Sequence, residues 1–372
     1  MSKKYCKYLA NGINFHISGL SFCNKLWWNY NPYTQYDENA LNNFLKKRED
    51  ALKKLEENCV PEHCQNCMYL QDIEENDFSD KIKFIEIYHW NQCNCACFYC
   101  SNRETTKLKI TNKTHQKGVI QVMPMLKELQ SKNLLDEQLR ISLVGGEPTL
   151  LDEFVDILKF TIKNNYNIDI LSNGIIYEKY IPKTLVSTPD SYITISLDCG
   201  TREMFKRIKG VDKFNDVVKN LKRYVKESKK ASINVMSKYI ILQGVNDNKD
   251  EIDKWIETCV NAGITNYFLS IEFCHAVKEP EKYEITDNVC QLYNYMKSKL
   301  IEINPEFNIL YLSYKPQENT INLEKLETIK ETEPENIPQE VKPEGQYKIT
   351  EFSGPVALPP NYNTNDKDEF DA

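Results

Sequence analysis

Cysteine is the residue type with the clearest chemical meaning in this 372-residue sequence, which contains 13 of them. Cys93, Cys97 and Cys100 form a C-x3-C-x2-C arrangement. Three thiolates in one loop can each bind one iron of a cubane [4Fe–4S] cluster, which normally takes four cysteines. The fourth iron then keeps an open position, and an open position distinguishes a catalytic metal site from a closed structural one. The spacing therefore predicts a loop that binds a ligand at iron.

An extra cysteine within the same loop leaves a second interpretation open. Cys95 lies between Cys93 and Cys97, so these residues and Cys100 could form a four-thiolate zinc site. Such a site would be structural, and the chain would then be a zinc-stabilised, non-catalytic binding scaffold.

Repeated βα units are predicted to position this loop. From residue 82, short apolar runs alternate with longer amphipathic segments, a pattern typical of a parallel sheet. The predicted strands are Ile82–Trp90, Leu139–Val144, Ile168–Leu171, Tyr192–Leu197, Ser232–Leu242 and Tyr267–Phe273. The pattern favours an α/β fold, a partial (β/α)6 TIM-like barrel, whose chemistry lies at the carboxyl ends of the strands.

Glycine and polar residues follow three more of these strands at the same edge. The second strand is followed by Gly145-Gly146-Glu147-Pro148, the third by Asn173, and the fourth ends near Ser196 and Asp198. Glycine lets the backbone approach a ligand closely, and Glu147 offers an acceptor to an ammonium group. The edge of the sheet is therefore predicted to bind a ligand beside the cysteine loop.

Together, these segments resemble the radical SAM superfamily, whose hallmark loop has an aromatic residue before its last cysteine, here Tyr99. The segment at Gly145 resembles the GGEP motif of that family, which binds the amino group of S-adenosylmethionine (SAM). The resemblance implies cofactor contacts from Tyr99, Gly145, Gly146, Glu147, Asn173, Ser196 and Asp198. Arg202, Arg207 or Lys209 could neutralise the methionyl carboxylate, and the sequence does not choose among them.

The resemblance also implies a reaction. An electron donor such as flavodoxin or ferredoxin would reduce the [4Fe–4S] cluster, and cleavage of SAM would give a 5′-deoxyadenosyl radical that abstracts hydrogen from a substrate. The predicted substrate is a peptide or protein side chain. A saccharide, a small metabolite, or sulfur insertion from an auxiliary cluster are the alternatives.

The amino-terminal residues 1–80 are predicted to form a cysteine-rich module with one helix, Asp37–Asn58. Its candidate ligands for a second iron–sulfur cluster are Cys6, Cys23, Cys64 and Cys67, and Cys59 could replace one of them. The module resembles SPASM or twitch auxiliary-cluster domains, and residues 12–23 resemble the short hairpin that leads to a cluster ligand there. Structural zinc and reduced packing thiols are the alternatives.

Two further cysteines bear on the type of reaction. Cys199 and Cys274 each lie at the carboxyl end of a predicted strand. A thiol at this edge could donate a hydrogen atom to a substrate radical and so complete an epimerisation. The alternative for each is burial as an inert small side chain.

Charge and composition restrict the remaining possibilities. Residues 316–372 carry 13 acidic and 5 basic side chains, so this segment accounts for the net charge of −7 and leaves residues 1–315 nearly neutral. A nearly neutral body disfavours a nucleic-acid partner. The acidic, proline-rich segment is predicted to be a disordered tail after a barrel of residues 81–315. No export signal or membrane-spanning run is evident, which predicts a cytoplasmic protein without membrane contact.

Overall fold

A mostly parallel β-sheet organises the part of the chain that the structure describes. The computed structural model describes residues 3–16, 19–22, 39–60, 70–73, 81–90, 92–100, 121–271, 286–304 and 309–311, all within one unit that spans Met1–Ile321. Its strands are β1 (Lys3–Cys6), β2 (Gly12–His16), β3 (Gly19–Ser21), β4 (Leu70–Ile73), β5 (Ile82–Tyr88), β6 (Leu135–Leu143), β7 (Asn167–Ser172), β8 (Tyr192–Ser196), β9 (Val235–Ile241), β10 (Asn266–Ile271) and β11 (Ile309–Tyr311). Its helices are α1 (Lys7–Asn11), α2 (Ala40–Glu56), α3 (Val122–Ser131), α4 (Phe154–Asn164), α5 (Tyr180–Ser187), α6 (Arg202–Lys209), α7 (Phe214–Ser228), α8 (Lys249–Ala262) and α9 (Asp287–Ile303).

Nine of the described strands form one sheet in the order β11-β10-β9-β8-β7-β6-β5-β2-β3. Every neighbouring pair is parallel except β2 and β3. Within the described residues the end strands β11 and β3 are not paired with each other, so the sheet is open, as in a partial TIM-like barrel. The separate pair β1 and β4 is antiparallel.

The six strands predicted from the sequence are confirmed as β5 to β10, and helices α3 to α8 fill the intervals between them. The strand β6 begins at Leu135, earlier than the predicted Leu139, because the polar run from Asp136 to Gln138 hides its start from an apolar pattern. The strand β9 begins at Val235, later than predicted, because residues 229–234 form a 3-10 helix.

The two faces of the sheet can be told apart at β9. Trp255 of α8 donates from Nε1 to the hydroxyl of Ser237 at 3.1 Å, and its ring lies 5.2 Å from that of Tyr239. Residues two apart in a strand share a face, so Ser237 and Tyr239 face the helices. Met236 and Lys238 therefore lie on the opposite face, which we call the inner face.

Residues before position 81 also contribute to this sheet. The strand β2 pairs in parallel with β5 in the register Phe15↔Ile87, so the predicted boundary between residues 1–80 and 81–315 runs between two hydrogen-bonded strands. The predicted hairpin is confirmed, because β2 and β3 pair antiparallel with Phe15 opposite Leu20. Both of these side chains are fully buried.

Some sequence predictions concern positions that the structure does not describe. The predicted tail, residues 316–372, lies outside the described residues, as do Cys23, Cys64, Cys67 and Cys274. Within the described part of the chain, no helix combines the length and the apolar character that a bilayer crossing requires.

Candidate active site

The residues that follow β5, β6, β7 and β8 meet at one edge because these strands are parallel. Residues 92–100, which we call the cysteine loop, follow β5 and are hydrogen-bonded to the segment after β6. The amide of Gly146 donates to the carbonyl of Trp90, and the amide of Glu147 to that of Gln92, both at 2.8 Å. Gly145 has φ +104°, and a Cβ there would lie 2.7 Å from the carbonyl oxygen of Trp90. Only glycine fits this approach, which joins two loops of the chain.

A second set of backbone bonds attaches the cysteine loop to the end of α6. The amide of Ala96 donates to the carbonyl of Lys209 at 2.7 Å, and the amide of Phe98 to that of Ile208 at 3.3 Å. Gly210 ends α6 at φ +69°, and a Cβ on it would lie 3.0 Å from the Cβ of Ala96. The loop is thereby fixed between the ends of β6 and α6.

The thiols of the cysteine loop differ in protonation. The Cys95 thiol can donate its single proton to either Cys93 or Cys97, and this hydrogen bond raises the pKa of Cys95. The same hydrogen bond lowers the pKa of Cys93 and, against the effect of burial, lowers the pKa of Cys97 to about 6, aided by the ammonium groups of Lys209 and Lys238. Cys97 is therefore mostly a thiolate at neutral pH, and the lowered pKa of Cys93 favours the same form, which is the one that binds metal.

This donor set fits the predicted cluster. Thiolates are the ligands of iron–sulfur clusters, and Cys93, Cys97 and Cys100 supply three of them from one loop, with Cys93 exposed and the other two half-buried. The protonated Cys95 thiol supports its neighbours as a hydrogen-bond donor. Among the residues that the structure describes, no group of three or more His, Cys, Asp or Glu side chains is arranged to hold a single metal ion.

The carboxylate of Glu147 joins the ends of β6 and β7. Its Oε1 accepts from the hydroxyls of Thr149 at 2.7 Å and Ser172 at 2.8 Å, and its Oε2 accepts from the amide of Asn173 at 2.7 Å. Burial raises the pKa of Glu147, although these hydrogen bonds oppose the shift. The sequence assigned this carboxylate to a ligand ammonium, whereas the structure places it, only 1% exposed, among donors of the chain itself.

Asn173 connects the third strand end to the cysteine loop. Its Nδ2 donates to Asn94 Oδ1 and lies 3.7 Å from the sulfur of Cys93. Hydrogen bonds to the sulfurs of an iron–sulfur cluster help to set its reduction potential. The structure thus brings Asn173 to the predicted metal ligands, and its predicted contact with SAM stays a prediction.

A buried network of Tyr99, Asp198 and Lys209, which we call the Asp198 network, ties the cysteine loop to β8. Asp198 Oδ2 accepts from the Tyr99 hydroxyl at 2.8 Å and from the Lys209 ammonium, and its Oδ1 accepts from the amide of Ile240 at 3.0 Å. Lys209 Nζ also donates to the Tyr99 oxygen at 3.0 Å. Asp198 and Lys209 are 0% and 1% exposed.

The charges in the Asp198 network stabilise one another. Burial alone would raise the pKa of Asp198, but attraction to the Lys209 and Lys238 ammonium groups outweighs burial and lowers it. Burial would lower the pKa of Lys209, but attraction to Asp198 raises it. The functional atoms of Tyr99, Asp198 and Lys209, which the sequence assigned to the cofactor, contact one another, and no local sequence signal marks this long-range pairing.

The two arginines that were candidates for the methionyl carboxylate lie at the surface. Arg202 pairs with Asp212 through Nε and Nη2, at 2.7 and 2.6 Å, and Arg207 is exposed. Lys238 of β9, which sequence reasoning missed, is 8% exposed and lies opposite Ser196 in the register of β8 and β9. A lysine inside an otherwise apolar strand run was the available signal.

The thiol predicted as a hydrogen-atom donor at β8 is engaged within its own loop. Cys199 is fully buried, and its sulfur lies 3.4 Å from the Leu197 carbonyl oxygen and 3.5 Å from that of Thr201. Burial raises its pKa well above the usual range. This placement matches the alternative interpretation, an inert packing thiol, and the other candidate, Cys274, lies outside the described residues.

One of the four predicted auxiliary ligands is described. Cys6 is buried at the end of β1, opposite Leu70 of β4, and Cys59, the possible substitute, is exposed. Because the other three ligands lie outside the described residues, the auxiliary site stays a prediction.

Known proteins are similar to this chain over the residues that form the site. A family model described as the radical SAM superfamily matches residues 87–259. The chain is 27% identical over 228 residues to the GTP 3′,8-cyclase of Nautilia profundicola, covering 59% of this chain and 66% of that protein. It is 25% identical to a probable GTP 3′,8-cyclase of Saccharolobus islandicus, covering 52% and 58%. The structure of Streptococcus suis SuiB bound to S-adenosylmethionine is similar at 14% identity and a TM-score of 0.47, covering 75% of this chain and 57% of that one. The chain thus spans less than two thirds of each of these proteins.

Proposed function

We propose that this chain, whose residues 87–259 match the radical SAM superfamily model, is an enzyme that cleaves SAM at a [4Fe–4S] cluster bound by Cys93, Cys97 and Cys100. When bound and reduced, the cluster and SAM supply a 5′-deoxyadenosyl radical that abstracts hydrogen from a substrate. Such an enzyme needs a reductant, and flavodoxin or ferredoxin is the proposed donor.

The observation that carries this proposal is the placement of the cysteine loop. It lies at the carboxyl edge of parallel strands, where αβ barrels hold their chemistry, and the pKa values of Cys93 and Cys97 are both lowered, that of Cys97 with the help of the buried Lys209 and Lys238. Backbone bonds to Gly146 and Glu147 on one side and to Lys209 on the other fix its position. A loop held on both sides keeps three sulfurs in a constant relation to the inner face, where a substrate would lie.

The proposed substrate is a peptide or protein side chain. This proposal rests on the resemblance of the amino-terminal cysteines to SPASM and twitch modules, and we propose that Cys6, Cys23, Cys64 and Cys67 bind a second iron–sulfur cluster. A saccharide, a small metabolite, or sulfur transfer from that cluster remain the alternatives, each with its own product mass.

A second candidate substrate is a purine nucleotide. It is favoured by the curated relatives, which are named as GTP 3′,8-cyclases and share 25% to 27% identity with this chain. The two candidates are separated by anaerobic incubation with SAM, reductant and either GTP or candidate peptides, including any small peptide encoded beside the gene. Product mass then identifies which of them is converted.

The deciding experiment measures iron and 5′-deoxyadenosine in variants of the cysteine loop. Replacing Cys93, Cys97 or Cys100 with Ala should remove the SAM-cleaving cluster and abolish 5′-deoxyadenosine. Cys95→Ala is the matched control in the same loop, and it should keep the iron and most of the cleavage activity. The wild-type chain should hold about four irons for one cubane cluster and about eight for two.

The zinc-scaffold interpretation predicts the opposite pattern. An anaerobically prepared sample would then be colourless and contain zinc, and Cys95→Ala would lose metal as readily as Cys97→Ala. A chain that holds no iron, or that fails to cleave SAM with dithionite present, contradicts the proposed function.

A further inference from the structure

Lys238 lies on the inner face of the sheet. Its neighbour Ser237 accepts a hydrogen bond from Trp255 on the helical face, so the Lys238 side chain starts on the other face. In the sheet, Lys238 lies opposite Ser196 of β8 and opposite Phe268 of β10. The residue is therefore positioned between a hydroxyl-bearing residue and an aromatic one, near the carboxyl edge where the cysteine loop lies.

The ammonium of Lys238 differs from that of Lys209 in having no assigned partner. Lys209 donates to Asp198 and Tyr99. Lys238 is 8% exposed, and no hydrogen bond or ion pair of its ammonium is found among the residues that the structure describes. Burying a cation is costly unless a partner compensates, so a side chain held in this way suggests a partner that arrives with a ligand.

The charged groups around Lys238 do not supply that partner. Asp198 is near, but its two oxygens already accept from Tyr99, Lys209 and the amide of Ile240. Lys209 is a second cation and repels Lys238, and the sulfurs of Cys97 and Cys100 attract it but are the proposed iron ligands. Burial lowers the pKa of Lys238, so an anionic ligand on the inner face beside the proposed cluster would stabilise its charged form.

A second donor accompanies Lys238. Ser196 is 8% exposed, and its hydroxyl makes no hydrogen bond within the described residues. Its Cα is paired with that of Lys238 across β8 and β9, and side chains of directly paired residues on the same face are near neighbours. A hydroxyl donor next to an ammonium is a donor set for an oxyanion, because charge-assisted hydrogen bonds to a carboxylate are the strong ones.

We propose that Lys238 and Ser196 bind a carboxylate of a ligand held on the inner face of the sheet. This inference rests on the proposed function, and it leaves two sources of the same chemistry, the methionyl carboxylate of SAM and an acidic group of the substrate. It assigns Lys238 the role that the sequence had offered to Arg202, Arg207 or Lys209.

The test compares Lys238→Met with Lys222→Met in the reconstituted, anaerobic enzyme. Lys222 is an exposed lysine of α7, so its replacement removes one charge away from the site. In the first arm, equilibrium binding of SAM and of decarboxylated SAM is measured. If Lys238 holds the methionyl carboxylate, Lys238→Met weakens SAM binding about tenfold to a hundredfold and leaves decarboxylated SAM unaffected.

In the second arm, malonate serves as a carboxylate probe of the SAM-loaded enzyme. If Lys238 holds a substrate carboxylate, the wild-type enzyme binds malonate and Lys238→Met does not, while SAM binding is unchanged. Ser196→Ala should weaken binding of the same ligand, SAM or malonate, as Lys238→Met does. Lys238→Arg should retain most of that binding. Lys222→Met should match the wild type in both arms.

Stability provides a readout that a structural role would not produce. Since Lys238 is buried without a hydrogen-bonded partner, Lys238→Met should leave the thermal midpoint of the enzyme unchanged or raise it.

The inference is overturned if Lys238→Met binds SAM and malonate as the wild type does, including the case in which only the reduction potential of the cluster changes. That result with normal 5′-deoxyadenosine formation would leave the proposed function intact, whereas absence of iron or of SAM cleavage in the wild type would reject the function itself.

Discussion

Asp198 ties the cysteine loop to α6 and to β9. It has φ +59°, its carboxylate is fully buried, and it connects Tyr99 of the loop with Lys209 of α6 and the backbone of β9. Removing one partner of a buried ion pair leaves the other charge uncompensated, which costs several kcal/mol. The sequence could not show this, because Tyr99 and Asp198 are 99 positions apart in the chain and no periodic pattern links them with Lys209.

Asp198→Asn is therefore predicted to lower the free energy of unfolding by about 3 to 5 kcal/mol. The measurement is anaerobic urea unfolding at pH 7. The double variant Asp198→Asn with Lys209→Met should recover part of this loss, because it removes the unpaired cation. Equal stability of Asp198→Asn and the wild type would contradict the prediction.

The pH dependence of this loss has a definite sign. The pKa of Asp198 in the folded protein lies below its ordinary value, and that of an unfolded aspartate is about 3.9. The pair therefore contributes stability above about pH 4 and loses it as the pH falls through the lower, folded pKa. The difference in stability between wild type and Asp198→Asn should accordingly shrink below about pH 4.

At the scale of elements, local patterns predicted most of the fold and almost none of the contacts between its parts. Strands β5 to β10 follow from apolar periodicity and are confirmed. The hairpin was expected from the resemblance of residues 12–23 to auxiliary-cluster modules, and β2 and β3 do pair antiparallel. The parallel partners β2 and β11 were missed, because strand order depends on contacts that sequence spacing does not report. Lys238 was missed for a related reason, since a charged residue in an apolar run does not reveal which face it occupies.

The junction between the cysteine loop and α6 gives an element-scale prediction. Gly210→Ala places a Cβ at a positive φ and against Ala96, whereas Gly244→Ala places one at φ +77° with nothing within 4 Å. Both variants should lose about 1 kcal/mol of stability from the backbone conformation. Only Gly210→Ala should also lower the iron content after reconstitution, because it displaces the loop from the end of α6.

Unfolding curves together with iron analysis of both variants test this prediction. Because Gly244 carries the same backbone strain without the crowding, any common loss is assigned to strain. Equal iron content in the two variants would show that the contact between Gly210 and Ala96 does not position the thiols.

At the scale of the whole molecule, the amino-terminal strands complete the sheet that holds the proposed active site. The strand β2 covers one edge of β5, the strand that leads into the cysteine loop. The side chains of Ile13 and Phe15 are at most 2% exposed. Helix α2 is fixed to the same region, because Arg48 donates from Nε to the carbonyl of Ala10 at 3.1 Å. The cysteine-rich segment and the barrel therefore share one core.

A chain that begins at residue 81 is consequently predicted to fail as an independent barrel. Burial of a side chain such as Ile13 or Phe15 contributes about 1.5 to 3 kcal/mol, and a whole domain is stable by only about 5 to 15 kcal/mol. Loss of β2 would also leave β5 as an open edge, which promotes aggregation. Size-exclusion chromatography and circular dichroism should show an aggregated or unfolded product for residues 81–372.

A chain ending at residue 315 is the control, which should stay folded if the acidic segment is the predicted tail. A monomeric, cooperatively folding 81–372 fragment would instead show that the amino-terminal residues form a separable module and that the β2–β5 pairing contributes little to holding the cysteine loop.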